Sequence, residues 1–155
     1  MKTIADLLAE ESLFQGLDKV TLEFVAGCGR NVHFSPEDRI LTEGEAANTF
    51  YVLRSGSVAL SFFVPGRGGV VIDTLGQGEV LGWSWLFEPY RWQFDAEARE
   101  EVAAVAFDGA CLRAKCETDP HLGYVLTQRF AKVILGRLQS VRLRVLDVYG
   151  AGATD

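Results

Sequence analysis

The chain has 155 residues, with 15 Lys and Arg against 21 Asp and Glu, a formal net charge of −6, and 48% apolar and 23% charged residues. That length fits one domain with a core large enough to stand without metals or disulfides, and the acidic balance disfavours a chain built to coat phosphate backbones. No apolar run approaches the roughly 18–20 residues of a membrane span, and the opening MKTIADLLAEESLFQ carries acids where a signal peptide has its apolar stretch.

Residues 3–27 read as short helices. Ile4, Leu7 and Leu8, then Leu22, Phe24 and Val25, have compact apolar spacing, punctuated by Gly16 and Gly27. Residues 28–107 read as strands. Seven glycines between Gly56 and Gly82 separate β-rich runs such as Thr49–Leu53, Val58–Val64 and Val70–Leu75. In the second run Val58, Leu60, Phe62 and Val64 alternate, which predicts one buried face. Many short strands with Gly turns predict an antiparallel β-roll or jelly-roll. The expected fold class is therefore mixed β + α: a roll over about residues 28–107 with N-terminal helices before it and helices over about 108–149 after it.

Asp108 is placed to cap a helix through Ala110–Lys115. Asp119-Pro120 is placed to open a second, long helix with Pro at its first position. On that helix Ile134, Leu138, Val141, Val145 and Val148 fall at spacings of 4, 3, 4 and 3, an a/d stripe. Two heptads fit a helix pair in a homodimer and fit packing on the chain's own β domain equally well. The residues after Gly150, 150–155, are expected to be a flexible tail. Residues 1–100 hold 15 acids and 8 bases, whereas residues 101–155 hold 6 and 7. The bases of that last part, including Arg129, Lys132, Arg137, Arg142 and Arg144, read as a solvated helix face, since no second recognition helix follows.

Little in the sequence points to catalysis. Only His33 and His121 exist, in different regions, too few for the converging ligands a metal enzyme needs. Cys111, Cys116 and His121 are each five apart, and five helical steps turn a side chain about 140° past a full turn, off a shared face. There is no Gly-x-Ser-x-Gly elbow and no third group to orient a Cys–His pair. No enzyme, metal or cofactor is expected. Three cysteines, Cys28, Cys111 and Cys116, form no disulfide-framework spacing, which reads as a reducing cytoplasm.

The dense feature is the segment from Gly82 to Asp95. It holds Trp83, Trp85, Phe87, Tyr90, Trp92 and Phe94, with one arginine, Arg91, after a glycine that permits close backbone approach. A helical turn starting near Trp83 or Ser84 offers N–H groups to an anion. Arg91 offers a bidentate contact, and a Trp face offers stacking to a ring. The other reading, which composition alone favours for most of these aromatics, is an apolar plug that closes the roll, with Arg91 solvated or paired to Glu88 or Asp95.

In order and spacing, these elements resemble the cyclic-nucleotide-binding domain of the catabolite-activator (Crp/Fnr) type over about residues 12–149. The resemblance rests on Leu13-Phe14-x-Gly16-Leu17, then Phe34, then Ile40-Leu41-x-Glu43-Gly44-Glu45, then Phe50-Tyr51-Val52-Leu53-x-Ser55-Gly56-x-Val58. The Gly76–Gly82 stretch followed by Leu86-Phe87 stands where that family keeps its phosphate-binding cassette. The resemblance implies a ligand-sensing regulatory module in which ligand closes the cassette against the last helices. It also marks two departures. Gly82-Trp83 stands where the family has Gly-Glu, the Glu taking the ribose hydroxyl. Gln93 stands, by count, where an Arg grips the phosphate, with Arg91 two residues away. Each missing charge-assisted contact is worth roughly 1.5–3 kcal/mol, together on the order of a hundredfold in affinity.

The expected ligand-binding residues are Gly82, Trp83, Ser84, Arg91 and Gln93, for a small anionic or aromatic ligand, with cAMP and cGMP as candidates. The alternative is a ligand-free interaction and dimerisation scaffold. A homodimer is expected, without direct DNA or membrane contact, because family regulators continue into a helix-turn-helix domain and this sequence stops at Asp155.

Overall fold

The Gly-punctuated middle of the chain folds as two antiparallel sheets. The computed structural model describes residues 2–153, with side chains described through Leu143. The strands are β1 (Gly29–Phe34), β2 (Arg39–Leu41), β3 (Thr49–Ser55), β4 (Val58–Val64), β5 (Gly68–Leu75), β6 (Val80–Leu81), β7 (Asp95–Ala98) and β8 (Val102–Asp108). One sheet has the order β1-β8-β3-β6 and the other β2-β7-β4-β5. Neighbours in space are mostly distant in sequence, as a jelly-roll requires. The helices are α1 (Ile4–Ala9), α2 (Lys19–Ala26), α3 (Gly109–Thr118) and α4 (Pro120–Ala153), with 3-10 turns at Ser12–Phe14 and Ser84–Leu86.

Helix starts follow their capping residues. Thr3 and Asp6 form a reciprocal capping box on α1, and Asp18 accepts from the Thr21 N–H on α2. The Asp108 carboxylate accepts from the Cys111 N–H at 3.0 Å, and Asp119 accepts from Leu122 N–H at 3.2 Å above Pro120. Val58 and Leu60 are buried as predicted, but the strand does not alternate: Ala59 between them is buried too, Phe62 and Val64 are half-buried and Phe63 is exposed. The cause is local. The register shifts between Leu60 and Ser61, and β7 pairs β4 only as far as Ser61, so the rest of the β4–β5 hairpin projects past its cover.

The first sheet is covered on both faces, which divides the core in two. Toward the other sheet, Leu41, Leu53, Val58, Leu60, Leu75, Leu81, Trp92 and Ala104 fill the roll. Toward the helices, Phe50, Val52, Val105 and Phe107 meet Leu8, Phe14, Val25, Trp85, Leu112, Leu122, Leu126 and Phe130. Phe50 and Phe107 are stacked at 4.7 Å, and Phe50 meets Phe130 edge-on at 5.0 Å.

Three expectations meet the structure here, and the first needs correcting. First, Cys28 and Cys111 form a disulfide with Cα atoms 5.8 Å apart, leaving Cys116 as the free thiol. Sequence spacing hid this because the two lie 83 positions apart with the roll itself between them, which returns β8 beside β1. The cysteine count therefore no longer supports a reducing compartment. Second, α4 continues through Gly150 to Ala153, into the segment expected to be a flexible tail, because a helical hydrogen-bond ladder can continue without tertiary packing; residues 154 and 155 lie outside the described residues. Third, α4 packs on the roll through Leu122, Leu126, Phe130 and Val133 rather than through the stripe from Ile134. Within that stripe Leu138 is 63% exposed, Ile134 and Val141 are half-buried, and the side chains of Val145 and Val148 lie outside the described residues. No helix among the described residues is long and apolar enough to cross a membrane.

Candidate functional site

The aromatic segment leaves the first sheet at β6 and crosses the open end of the roll. Gly78 N–H donates to Leu53 O at 2.7 Å and Leu53 N–H to Glu79 O at 3.0 Å, extending the β3–β6 pairing. The chain turns at Gly82, whose φ of +94° is a left-handed conformation suited to glycine. The Ser84–Leu86 turn follows, and Leu86 N–H donates to Trp83 O at 3.1 Å. The segment then returns beside residues 44–47 as an antiparallel bridge. Ala47 N–H donates to Tyr90 O at 2.7 Å, Trp92 N–H to Glu45 O at 3.0 Å, and Gly44 N–H to Trp92 O at 2.9 Å, around the Ala46–Arg91 pair.

That bridge decides the site. In extended backbone, neighbouring side chains point to opposite faces. Trp92 points inward and is 7% exposed, while Arg91 and Gln93 are both exposed. Arg91 donates to Gly44 O at 3.3 Å, and Gln93 donates its amide to Arg91 O at 3.1 Å. The interior position facing the cassette turn is thus Trp92, not Gln93 as counting along the sequence suggested. Its indole lies against Gly82 so closely that a Cβ there would stand 2.7 Å from the ring. The close approach expected at Gly82 is therefore made by the chain's own indole.

The remaining space is a cavity of about 10 Å³, lined by Leu41, Leu60, Leu75, Trp83, Ser84 and Gln93 among others. Of the expected ligand residues, Gly82, Trp83, Ser84 and Gln93 are brought together there, and Arg91 is not among the lining residues. Trp92 stands among the aromatics that the sequence offers as a plug but not among the expected site residues, although its odd–even offset from Arg91 and Gln93 carries the signal. Trp83 is half-buried at the rim, edge-on to Phe94 at 5.8 Å. Trp85 belongs to the other core, stacked on Phe50 at 4.9 Å and edge-on to Phe130 at 5.2 Å. Its indole N–H has no partner among the described residues.

The cassette is tied to α3. The Arg113 guanidinium donates to Trp85 O and lies 4.2 Å over the Tyr90 ring. A larger hollow of about 500 Å³ lies outside the roll, between the first 3-10 turn, Gly78–Val80 and α4. Two of its cations act as anchors. Arg129 donates to Leu13 O at 2.9 Å and Gln15 O at 2.7 Å, and Arg137 pairs with Asp73 at 2.7 Å and Glu79 at 3.4 Å. Among the described residues, no group of three or more His, Cys, Asp or Glu stands ready to hold a metal.

Residues 31–119 match the cyclic nucleotide-binding domain family. The chain is 22% identical over 143 residues to the CRP-like cAMP-activated global transcriptional regulator of Mycobacterium tuberculosis, covering 92% of this chain and 62% of that relative's length. Among solved structures, a Geobacter metallireducens protein assigned as cyclic nucleotide-binding superposes with a TM-score of 0.78 at 28% identity, covering 89% of this chain and 99% of that one. The Thermus thermophilus catabolite activator protein superposes at 0.69 with 22% identity, covering 89% and 62%. The chain belongs to the cyclic nucleotide-binding domain family.

Proposed function

From that membership we propose that this domain is a non-catalytic regulatory module whose nucleotide pocket is closed by its own Trp92, so that cAMP and cGMP are not its ligands. The observation that carries this reading is the roll interior. Trp92 occupies it and leaves about 10 Å³, against the roughly 300–1,000 Å³ of pockets that hold small molecules. Trp83 in place of an acid and an outward Arg91 support the same reading, since neither offers a buried charge-assisted contact to a cyclic phosphate and ribose. With a net charge of −6, a protein partner fits the surface better than DNA. The exposed Leu138, with Ile134 and Val141 beside it on α4, supports a second copy of the chain as that partner. Isothermal calorimetry tests the reading: no heat is expected with either cyclic nucleotide up to millimolar concentration. Micromolar binding that Arg91→Ala abolishes would overturn it.

A second reading keeps the roll as a sensor. Trp83 is half-buried at the rim and Ser84 is buried at the start of a helical turn. A small aromatic or anionic ligand would take the interior as Trp92 swings outward, held by Gly82, Trp83, Ser84 and Gln93, with Arg91 arriving from outside. Its signature in a ligand screen is a large change in Trp fluorescence on binding.

A further inference from the structure

The disulfide has a position that the proposed role does not use. Cys28 lies between α2 and β1, and Cys111 lies in the first turn of α3. The two chain ends already meet without it: Asp108 N–H donates to Cys28 O at 2.9 Å, and Gly29 pairs with Phe107 where the β1–β8 ladder ends. The bond thus adds a link between α3 and the N-terminal helices at a place that hydrogen bonds already hold in register. Breaking it would leave the roll folded, with Gly109 N–H still on Asn48 O at 2.7 Å, and remove the covalent tie between α3 and the N-terminal helices.

α3 is the element on which this matters. On one side Lys115 donates to Phe24 O and lies 4.4 Å over the Phe24 ring of α2. On another, Arg113 holds Trp85 O and the Tyr90 ring of the cassette. The bond is also reachable. Cys111 is half-buried and Cys28 buried, and both line an open groove of about 400 Å³ together with Arg30 and Asp108, so the accessible sulfur is that of Cys111 and the charges beside it are of both signs. Cys116 cannot exchange for Cys111 as a partner without unwinding the helix, because five residues place it about 140° round α3. Burial also keeps its thiol protonated by pushing its pKa up.

We propose that Cys28–Cys111 is a reversible redox clasp, opened by a dithiol reductant entering the groove, and that its state sets how firmly α3 holds the cassette. The chemistry balances as thiol–disulfide exchange. A reductant thiolate attacks Cys111 Sγ, the S–S bond breaks, and Cys28 leaves and takes a proton. The second thiol of the reductant then attacks the mixed disulfide, releasing Cys111 as a thiol and the reductant as its own disulfide. Two electrons pass to the protein.

The test uses the whole chain. Alkylation after acid quench and denaturation should give one label per chain in air-oxidised protein and three after native treatment with dithiothreitol. Hydrogen exchange on the same samples should rise severalfold on reduction in both 109–118 and 83–90. Cys111→Ser should show the raised exchange with or without reductant, and Cys116→Ser should behave as the natural chain does. Should Cys111→Ser not fold, the oxidised and reduced natural protein carry the comparison alone. Three labels in air-oxidised protein, a bond that resists millimolar dithiothreitol without denaturant, or exchange that changes only around residues 27–30 would each overturn the proposal.

Discussion

Replacing Trp92 by alanine separates a filled roll from an empty one. Trp92 is 93% buried among Leu41, Leu53, Leu60, Leu75 and Leu81. An aromatic side chain of this kind buries about 150–250 Å², which at ~25 cal/mol per Å² corresponds to about 4–6 kcal/mol. Measured Trp-to-Ala losses in cores run about 3–5 kcal/mol, so the two routes agree. For a domain of this size each kcal/mol moves the midpoint by about 2–4 °C, giving an expected fall of roughly 6–20 °C in a calorimetric melt. The vacated space is apolar and shaped by an indole, so free indole should refill it. At ten times its dissociation constant, a ligand that binds only the folded state restores about 1.4 kcal/mol, or about 3–6 °C. Cyclic AMP should restore nothing, because the walls of the hole are mostly apolar, with Ser84 and Gln93 as their polar groups and no cation among the lining residues. A loss below about 1 kcal/mol would show that Trp92 is not the filling of the roll. Rescue by cyclic AMP equal to that by indole would refute the argument that the site lacks charge-assisted contacts.

Gly82→Ala combines a left-handed φ with a Cβ 2.7 Å from the Trp92 ring, whereas Gly44→Ala has a similar φ of +88° and nothing within 4 Å. The first should cost about 2–4 kcal/mol in chemical denaturation and the second only the backbone share of about 1–2; equal losses would mean that Trp92 does not press on Gly82. Arg137→Ala should cost about 1.5–3 kcal/mol by removing its charge-assisted hydrogen bond to the buried Asp73 carboxylate, which keeps its bond from Thr74 N–H, and Arg137→Met with Asp73→Asn should recover most of it, whereas a single-variant loss below about 1 kcal/mol would class the pair with surface ion pairs. The Asp6 and Asp18 carboxyls are held below the ordinary aspartate range by their cap hydrogen bonds, from the Thr3 backbone N–H and hydroxyl and from Thr21. That stabilisation is fully present above the unfolded pKa of about 3.9 and is lost as pH falls through the lower folded values. Amides of 4–26 should therefore lose exchange protection before those of β3 and β8 on acidification, and simultaneous loss would count against the caps. Leu138→Glu should convert a sedimenting dimer to monomer, and a dimer that survives it would move the interface off the α4 stripe.

The pieces of this fold that were legible in the sequence are those fixed by local rules. The caps at Asp108 and Asp119 and the Gly-bounded strands Thr49–Leu53, Val58–Val64 and Val70–Leu75 follow from side-chain chemistry within a few residues, whereas the cassette's place comes from the family resemblance. What stayed hidden depends on contacts across the chain. The Cys28–Cys111 bond exists only because β8 returns beside β1. The α4 stripe that meets the roll is Leu122, Leu126, Phe130 and Val133, and helical spacing alone does not say which of two apolar stripes faces inward. The role of Trp92 needed the bridge to residues 44–47, because Arg91 or Trp92 can point inward until a partner strand fixes the face.

The closed roll and the tie to α3 are mechanically one system. Trp92 sits in the roll core and Trp85 in the helix-side core, and the six residues from Leu86 to Arg91 join them. Tyr90, held under Arg113, is only two residues from Trp92. Its own carbonyl accepts from Ala47 N–H, and Trp92 exchanges two hydrogen bonds with Glu45 and Gly44. An outward swing of the Trp92 backbone must break those bonds and pull Tyr90 from beneath the guanidinium. Conversely, a partner or a redox change that shifts α3 moves Arg113 and loosens the clamp on Trp92. Coupling between two sites is reciprocal in free energy. Whatever displaces α3 must therefore raise the population with an open roll by the same factor by which filling the opened roll favours the displaced α3. A sealed pocket is thus compatible with the proposed regulatory role: on that reading an input at the helices would act by releasing Trp92 from the roll.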